Sequence, residues 1–325
     1  DKLSGEHDSN ISGKVRIYGT VEIDEFEPWQ KKFNEHYPNI ELDFNRRYVY
    51  GTPPPMAKAV MEETSKGKET ADVLIASTAP ILQMENLGIL EEHNLDDSIL
   101  SKYKHHNQYW IALLAIPTVQ IYNPDIIHDD NIPKEAMDLI DPKWKDKLTT
   151  HDLTLGTFGA HWLTKLKDLW GGEKWNKFID GLAKNNPVRF GLFDDVTDSV
   201  ADGTTPIAVN ALHHDLIKAK AEGRPVERLV LKDLPPMSTS NAIALTKASK
   251  NKEAAKVLIK FMLSDEGQEM IGDSPHTVRV PGNENVKAKY SISNILPNEE
   301  ITYFPDKDAY PRTQSDLDLL KEKFS

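Results

Sequence analysis

Val73-Leu74-Ile75-Ala76 is the stretch that most limits what this chain can fold into. Four consecutive apolar residues, preceded by Ala71-Asp72 and followed by Ser77-Thr78, have the length and hydrophobicity of a strand covered on both faces. Such a strand belongs in a parallel sheet with helices on either side. Ile81–Leu87 then reads as a helix that Gly88 stops. In open α/β sheets, ligands sit beyond the carboxyl ends of the strands, against helix N-termini. Ser77 and Thr78 therefore become candidate ligand residues, although alone the pair reads equally well as an ordinary helix cap.

The flanking sequence repeats the pattern. Val15–Tyr18 alternates as a strand, and Gly19-Thr20-Val21-Glu22 breaks it. Phe26, Trp29, Phe33 and Tyr37 recur at helical spacing before Pro38-Asn39, and Ile40–Phe44 is a second strand. Residues 48–55 read as a loop, and Pro53–Pro55 opens a helix carrying Met56, Val60 and Met61. The order β-α-β-α-β-α over the first 90 or so residues implies a parallel α/β sheet.

Further along, Trp110–Leu114 is a strand, and Pro117 in the continuing run suggests a crossing between lobes. Trp144 and Leu148 close a polar helical stretch. Thr154–Gly159 is a Thr/Gly-rich loop before the helix Ala160–Trp170, a second seat for an anion. Pro206–Val209 and Ala242–Leu245 are strands, Lys252–Leu263 is a helix, and a last helix lies at Ser315–Lys323.

Composition narrows the function. The chain has 325 residues, enough for two domains, with a formal net charge of −12 that disfavours a nucleic-acid backbone as partner. No apolar run approaches the ~20 residues that span a bilayer. The absence of cysteine removes disulfides, thiol catalysis and cysteine-rich metal sites. Asp1–Gly13 is polar and rich in Ser and Gly, and reads as a flexible leader left by a removed signal peptide, a lipid-anchored N-terminus or trimming. A Walker-type phosphate loop, a Gly-x-Ser-x-Gly elbow and a His-Glu-x-x-His pair are all missing, so an enzyme is not expected.

Four stretches carry a resemblance. They are Phe33–Ile40 with its Tyr-Pro turn, Gly67–Leu90 (GKETADVLIASTAPILQMENLGIL), Tyr122–Asp125 with Leu139–Lys145, and Lys250–Gln268 (KNKEAAKVLIKFMLSDEGQ). In this order they resemble the extracellular solute-binding proteins of ABC importers, type II fold, nearest the ferric-ion-binding group. The resemblance implies two α/β lobes with parallel-rich sheets, a ligand cleft between them, hinge closure on the ligand and delivery to a membrane permease. It also implies a monomer outside the cytoplasm, in the periplasm or on the cell surface, with no resident cofactor. Placed on Pro-marked breaks, the crossings are expected near 114–118, 234–237 and 274–280. Lobe 1 is then 14–114 completed by 238–274, and lobe 2 is 115–237 completed by 275–325.

The resemblance also places ligand residues. Where the ferric group has paired tyrosines after a second-lobe strand, this chain has His213 and His214; its first-strand His is replaced by Glu22, and the Glu after the anchor strand by Ser77. Fe(III) favours anionic oxygen, whereas neutral imidazole suits divalent transition metals, so Glu22, His213 and His214 form a possible metal set for iron or a divalent ion as transported ligand. Adjacent residues point apart on a regular helix, so the pair converges only if His213 sits in the loop before it. The alternative ligand is a small anion or a phosphorylated organic solute held by Thr20, Ser77, Thr78, Thr157 and helix N-termini. Tyr50, Phe193 and Asp194 are loop residues able to line either site. His105-His106 reads as a solvated turn, and Trp110, Trp170 and Trp175 as core. The pairs Asp129-Asp130 and Asp194-Asp195 lack calcium-loop spacing.

Overall fold

The computed structural model describes residues 10–50, 54–275 and 277–325. In chain order the strands are β1 Gly13–Gly19, β2 Ile40–Arg46, β3 Val73–Ser77, β4 Leu90–Glu91, β5 Trp110–Tyr122, β6 Leu148–His151, β7 Val188–Phe190, β8 Ile207–Leu212, β9 Glu227–Leu229, β10 Met237–Thr246, β11 Val280–Pro281 and β12 Thr302–Tyr303. The helices are α1 Ile23–His36, α2 Pro55–Ser65, α3 Thr78–Asn86, α4 Asp97–Leu100, α5 Phe158–Trp170, α6 Gly172–Lys184, α7 Phe193–Ala201, α8 His213–Ala221, α9 Lys252–Leu263, α10 Asp265–Gly272, α11 Ile292–Ile295 and α12 Ala309–Lys323. The chain divides into two compact units, residues 1–115 with 240–298, and residues 116–239 with 299–325.

In the first unit β2, β1 and β3 run parallel, and β10 joins β3 antiparallel. Period-two alternation decides what each face buries. Val15 and Ile17 of β1, and Val73 and Ile75 of β3, enter a core with Phe26, Trp29 and Phe33 of α1 and Leu258 and Ile259 of α9. Tyr18, Leu74 and Ala76 face the opposite core, built on Met56 and Val60 of α2 and Ile81, Leu82 and Met84 of α3. β3 is therefore covered on both sides, as its unbroken apolar run requires. Phe44 stacks on Phe26 at 4.3 Å between centroids, which fixes α1 across the sheet.

The second unit repeats the plan. β6 pairs parallel with both β7 and β8. Ile207 and Val209 of β8 pack with Trp162, Leu163 and Leu166 of α5 and Phe178 of α6, while Ala208 and Ala211 pack with Val196 and Val200 of α7 and Leu216 of α8.

Several local expectations change. Pro117 does not break its strand, since β5 runs unbroken from Trp110 to Tyr122. Residues 275–298 stay in the first unit, not in the second lobe: β11 pairs with Leu114 and Ala115, and the Asn283 N–H donates to Gln268 Oε1. Gly282 permits this seam, because a Cβ there would meet the Ala112 carbonyl. Leu148 begins β6 instead of ending a helix. His105 is buried, with Nδ1 2.7 Å from Ser240 Oγ and its ring edge-on to Trp110, so it is not a solvated turn residue. Trp110 and Trp175 are core, while Trp170 is half-buried and donates its indole N–H to the Asp233 carbonyl. Residues 1–9 of the expected leader lie outside the described residues. Among the described residues, no helix is long and apolar enough to cross a membrane.

His161 on α5 is 3% exposed, and burial pushes its pKa down to about 4. The unfolded chain, with an ordinary histidine pKa near 6.5, takes up this proton first. Stability from keeping His161 neutral is thus complete above about pH 6.5 and is lost as pH falls toward 4. Urea unfolding should show a loss on the order of 2 kcal/mol between pH 7 and 5 from this residue. His161→Gln should flatten that part of the profile; an unchanged slope would contradict the assignment.

Candidate functional site

Because β6, β7 and β8 are parallel, their carboxyl ends share one edge of the second unit, and α5, α7 and α8 begin beyond it. The ends are tied together by Asn210, whose buried Oδ1 accepts the His151 backbone N–H at 2.8 Å and the Thr150 hydroxyl at 2.9 Å. Asn210 Nδ2 is buried with no hydrogen-bond partner. From His151 the chain turns sharply. The Asp152 carboxylate accepts the Thr154 N–H at 3.0 Å and hydroxyl at 2.7 Å, and Gly156 adopts φ +71°, a conformation suited to glycine. Burial opposes charge on Asp152, but the Thr154 donors and Arg189 outweigh it and hold its pKa below the ordinary value.

Thr157 occupies the N-cap position of the 13-residue α5, yet its side chain makes no capping bond, and the first turn carries no acidic residue. The free N–H groups and the positive end of the helix dipole are therefore left open. Beside this turn the His151 ring stacks on Phe193 at 4.3 Å and 8°, with Phe158 edge-on to Phe193 at 4.9 Å. His151 is 5% exposed, and its Nδ1 is buried without a hydrogen-bond partner. That nitrogen lies against the first turn of α5, 3.2 Å from where a Cβ on Gly159 would stand. Burial lowers the His151 pKa, partly offset by a hydrogen bond to the Gly191 backbone, so the ring is neutral at pH 7.

His213 and His214 are the first two residues of α8, not loop residues ahead of it, so their side chains diverge. His213 is buried, its Nδ1 has no hydrogen-bond partner, and burial, aided by Arg228 and Lys220, pushes its pKa down to about 4. His214 is less buried, with Nε2 3.4 Å from Asp215 Oδ1. Phe193 and Asp194, expected in a loop, form the first turn of α7.

In the first unit the parallel ends of β1, β2 and β3 present a second set. Thr20 is half-buried and donates its backbone N–H to Ile75 O at 3.0 Å. Glu22 stands at the N-cap of α1 without capping it, and its exposed carboxylate lies 3.2 Å from the Arg46 guanidinium. Arg46 covers the ring of Tyr48, and Tyr50 is 72% exposed. Ser77 is the N-cap of α3, forms no capping bond, and sits 3.4 Å from Asn241 Oδ1. Thr78 corrects an expectation: it is fully buried and its hydroxyl donates to Ser240 O at 3.1 Å, so it locks α3 to β10 instead of presenting a donor.

Glu22 thus belongs to one unit and the two histidines to the other. Among the described residues, no group of three or more His, Asp or Glu side chains is arranged to hold a metal ion. Sequence alone does not single out His151, which follows the expected helix closed by Trp144 and Leu148, nor Phe158 and Asn210, which read only as part of a loop and of the stretch before His213. The signal was there in Leu-Thr-Thr-His, a β-branched run leading into a Thr/Gly loop and a helix.

Residues 68–296 match the bacterial extracellular solute-binding protein family. The chain belongs to that family. Among curated relatives, an uncharacterised Haemophilus influenzae protein is 24% identical over 97% of this chain and 90% of its own length. The major ferric iron-binding protein of Neisseria meningitidis is 24% identical over 58% of this chain and 57% of its own length, so that alignment spans little more than half of the relative. Among solved structures, the Mannheimia haemolytica ferric iron-binding protein A in an open conformation superposes with a TM-score of 0.76 at 16% identity, covering 96% of this chain and 98% of that one. The Trichodesmium protein in complex with iron and citrate ligands gives 0.75 at 16%, covering 96% and 99%. The substrate-binding protein of an ABC transporter from Agrobacterium tumefaciens gives 0.73 at 16%, covering 99% and 96%. These likenesses establish the two-lobed α/β fold of periplasmic binding proteins, and the matched family and neighbours are binding proteins.

Histidine titration by NMR checks the geometry of the second-unit edge. His213 should titrate near 4 and His151 below the ordinary histidine value. A His213 titration near 6.5 would mean that its ring is solvated, contrary to its burial here.

Proposed function

We propose that this solute-binding protein serves an ABC importer outside the cytoplasm, as a monomer that hands its solute to a membrane permease and performs no covalent chemistry. We further propose that the solute carries a compact oxyanion, as in a small phosphorylated organic compound. The observation that carries this reading is the uncapped N-terminus of α5, with the Thr157 side chain making no cap bond and the buried, unpartnered Nδ1 of His151 against the same turn. Backbone N–H groups, a hydroxyl and a helix dipole together suit an oxyanion. With its one N–H given to the Gly191 backbone, the neutral His151 ring leaves Nδ1 as an acceptor for a hydroxyl of the solute or for a protonated phosphate oxygen. Phe158 and Phe193, with Leu155 51% and Leu192 65% exposed nearby in sequence, offer apolar surface to an organic body. In the first unit the uncapped α3, with Ser77, provides a second seat of the same kind.

A transition-metal ion is the second reading, favoured by the names of the ferric-iron-binding relatives. Neutral His151 and His213, each with an unpartnered nitrogen, suit a metal as well. Against it stand the Glu22 carboxylate, already engaged by Arg46, and the positive end of α5. Because the His213 pKa is about 4, metal affinity should hold down to about pH 5 and not fall near 6.5.

Thermal-shift screening of sugar phosphates, phosphonates, sulfonates and metal ions tests the choice. A ligand that binds the native state alone raises the melting temperature, by about 2.7 kcal/mol of added stability at a hundredfold excess over Kd. A phosphorylated solute should give the shift, and Thr157→Val and His151→Phe should each weaken its binding about tenfold, the value of one lost hydrogen bond. A shift with metal ions alone, untouched by Thr157→Val, would replace the first reading by the second.

A further inference from the structure

The first unit carries a second concentration of charge that the solute reading does not use. At the opposite, amino-terminal edge of its parallel strands, a cavity of about 130 Å³ is lined by Lys14 and Arg16 of β1, Lys68, Glu69 and Thr70 before β3, and Lys250 and Asn251 before α9. Asp72 and Ala248 complete it.

The balance of charge here runs against the rest of the protein. Four cationic side chains face two carboxylates in a chain whose net charge is −12. One of those carboxylates is already committed: Asp72 is buried, and its oxygens accept the Arg16 N–H at 2.8 Å and the Ser249 hydroxyl at 2.6 Å. The other, Glu69, has a side chain 77% exposed and lies 3.5 Å from the Arg16 guanidinium, which also donates to Asp43 at 3.1 Å. Lys14, Lys68 and Lys250 have no side-chain hydrogen bond or ion pair with any described residue. Like charges gathered around one concavity repel each other, and an anion in the middle relieves every pair at once. Asn251 adds a polar group: it is the N-cap residue of the 12-residue α9, and its side chain makes no capping bond.

We propose that this cavity is an oxyanion site for a phosphate group, separate from the candidate solute site. Its size sets the class. Organic-ligand pockets run from about 300 Å³ upward, so 130 Å³ admits a phosphate headgroup but not the body attached to it. The same chemistry is offered by free inorganic phosphate and by the headgroup of an anionic lipid. The lysines' long exposed side chains suit a group presented from outside, whichever source supplies it.

The test uses the full chain at low ionic strength. Equilibrium dialysis with radiolabelled inorganic phosphate, and co-sedimentation with phosphatidic acid or phosphatidylcholine vesicles, are run on the wild type, on Lys14→Gln/Lys68→Gln/Lys250→Gln and on Thr157→Val. The expected result is a phosphate site, or binding of phosphatidic acid vesicles, that is weakened about tenfold or more in the triple variant and keeps its affinity in Thr157→Val, whatever phosphate the α5 seat itself holds, and that is absent with phosphatidylcholine. Retention in free phosphate alone names a soluble anion as the occupant; retention with vesicles alone names a lipid headgroup. Binding unchanged in the triple variant, or no binding of either probe by the wild type, overturns the proposal. Loss confined to Thr157→Val would place the anion at the α5 seat and overturns it equally.

Discussion

One buried carboxamide, that of Asn210, joins the two strands on which the candidate site of the second unit depends. Its Oδ1 holds the backbone N–H of His151 and the hydroxyl of Thr150, so β8 dictates where β6 stops. Where β6 stops decides where the Asp152 turn begins, and that turn delivers the chain to α5 with Thr157 at its head. The aromatic packing of His151, Phe158 and Phe193 then follows, because all three sit within a residue or two of element ends on the same edge. Orphaned polar atoms collect at these strand ends: Asn210 Nδ2, His151 Nδ1 and His213 Nδ1. Buried groups without partners cost stability, and at this edge a bound solute can supply the missing partners.

The first unit uses the same device at the opposite end of its strands. Asp72 accepts from the Arg16 backbone and from Ser249, and so clasps the starts of β1 and β3 to the end of β10. With its carboxylate consumed internally, the surrounding lysines are left uncompensated, and the edge turns basic in an acidic protein. The structural bond and the proposed oxyanion site thus have one origin. The carboxyl-terminal edge is shaped by helix N-termini instead, at α3 with Ser77 and at α1 with Glu22.

The parallel α/β architecture was legible because period and burial agree: Val73–Ala76 is covered on both faces, and Phe26, Trp29 and Phe33 share one face of α1. Ser77 was legible as a cap position because a strand, a hydroxyl pair and an apolar helix leave little else for it to be, whereas Thr157 reads as a loop residue ahead of a helix at Ala160 that begins at Phe158 instead. Other features were hidden for physical reasons. Thr78 and Ser77 are alike in sequence, and only the proximity of Ser240, far away along the chain, makes Thr78 structural. β6 is four residues long and has no alternation to betray it, so His151 at its end was lost with it. The family resemblance drew attention to His213 and His214. The helical start at His213 separates their side chains and shifts weight to His151, one strand away.

The central claim is that the solute is held through an oxyanion at the head of α5. Native mass spectrometry with elemental analysis, performed on the protein purified from its own cells without added metal or affinity tag, addresses it most directly. The account predicts a released small molecule containing phosphorus or another oxyanion-forming element, at substoichiometric to equimolar amounts and without matching transition metal. Stoichiometric iron or a divalent transition metal, with no accompanying oxyanion solute, would contradict it.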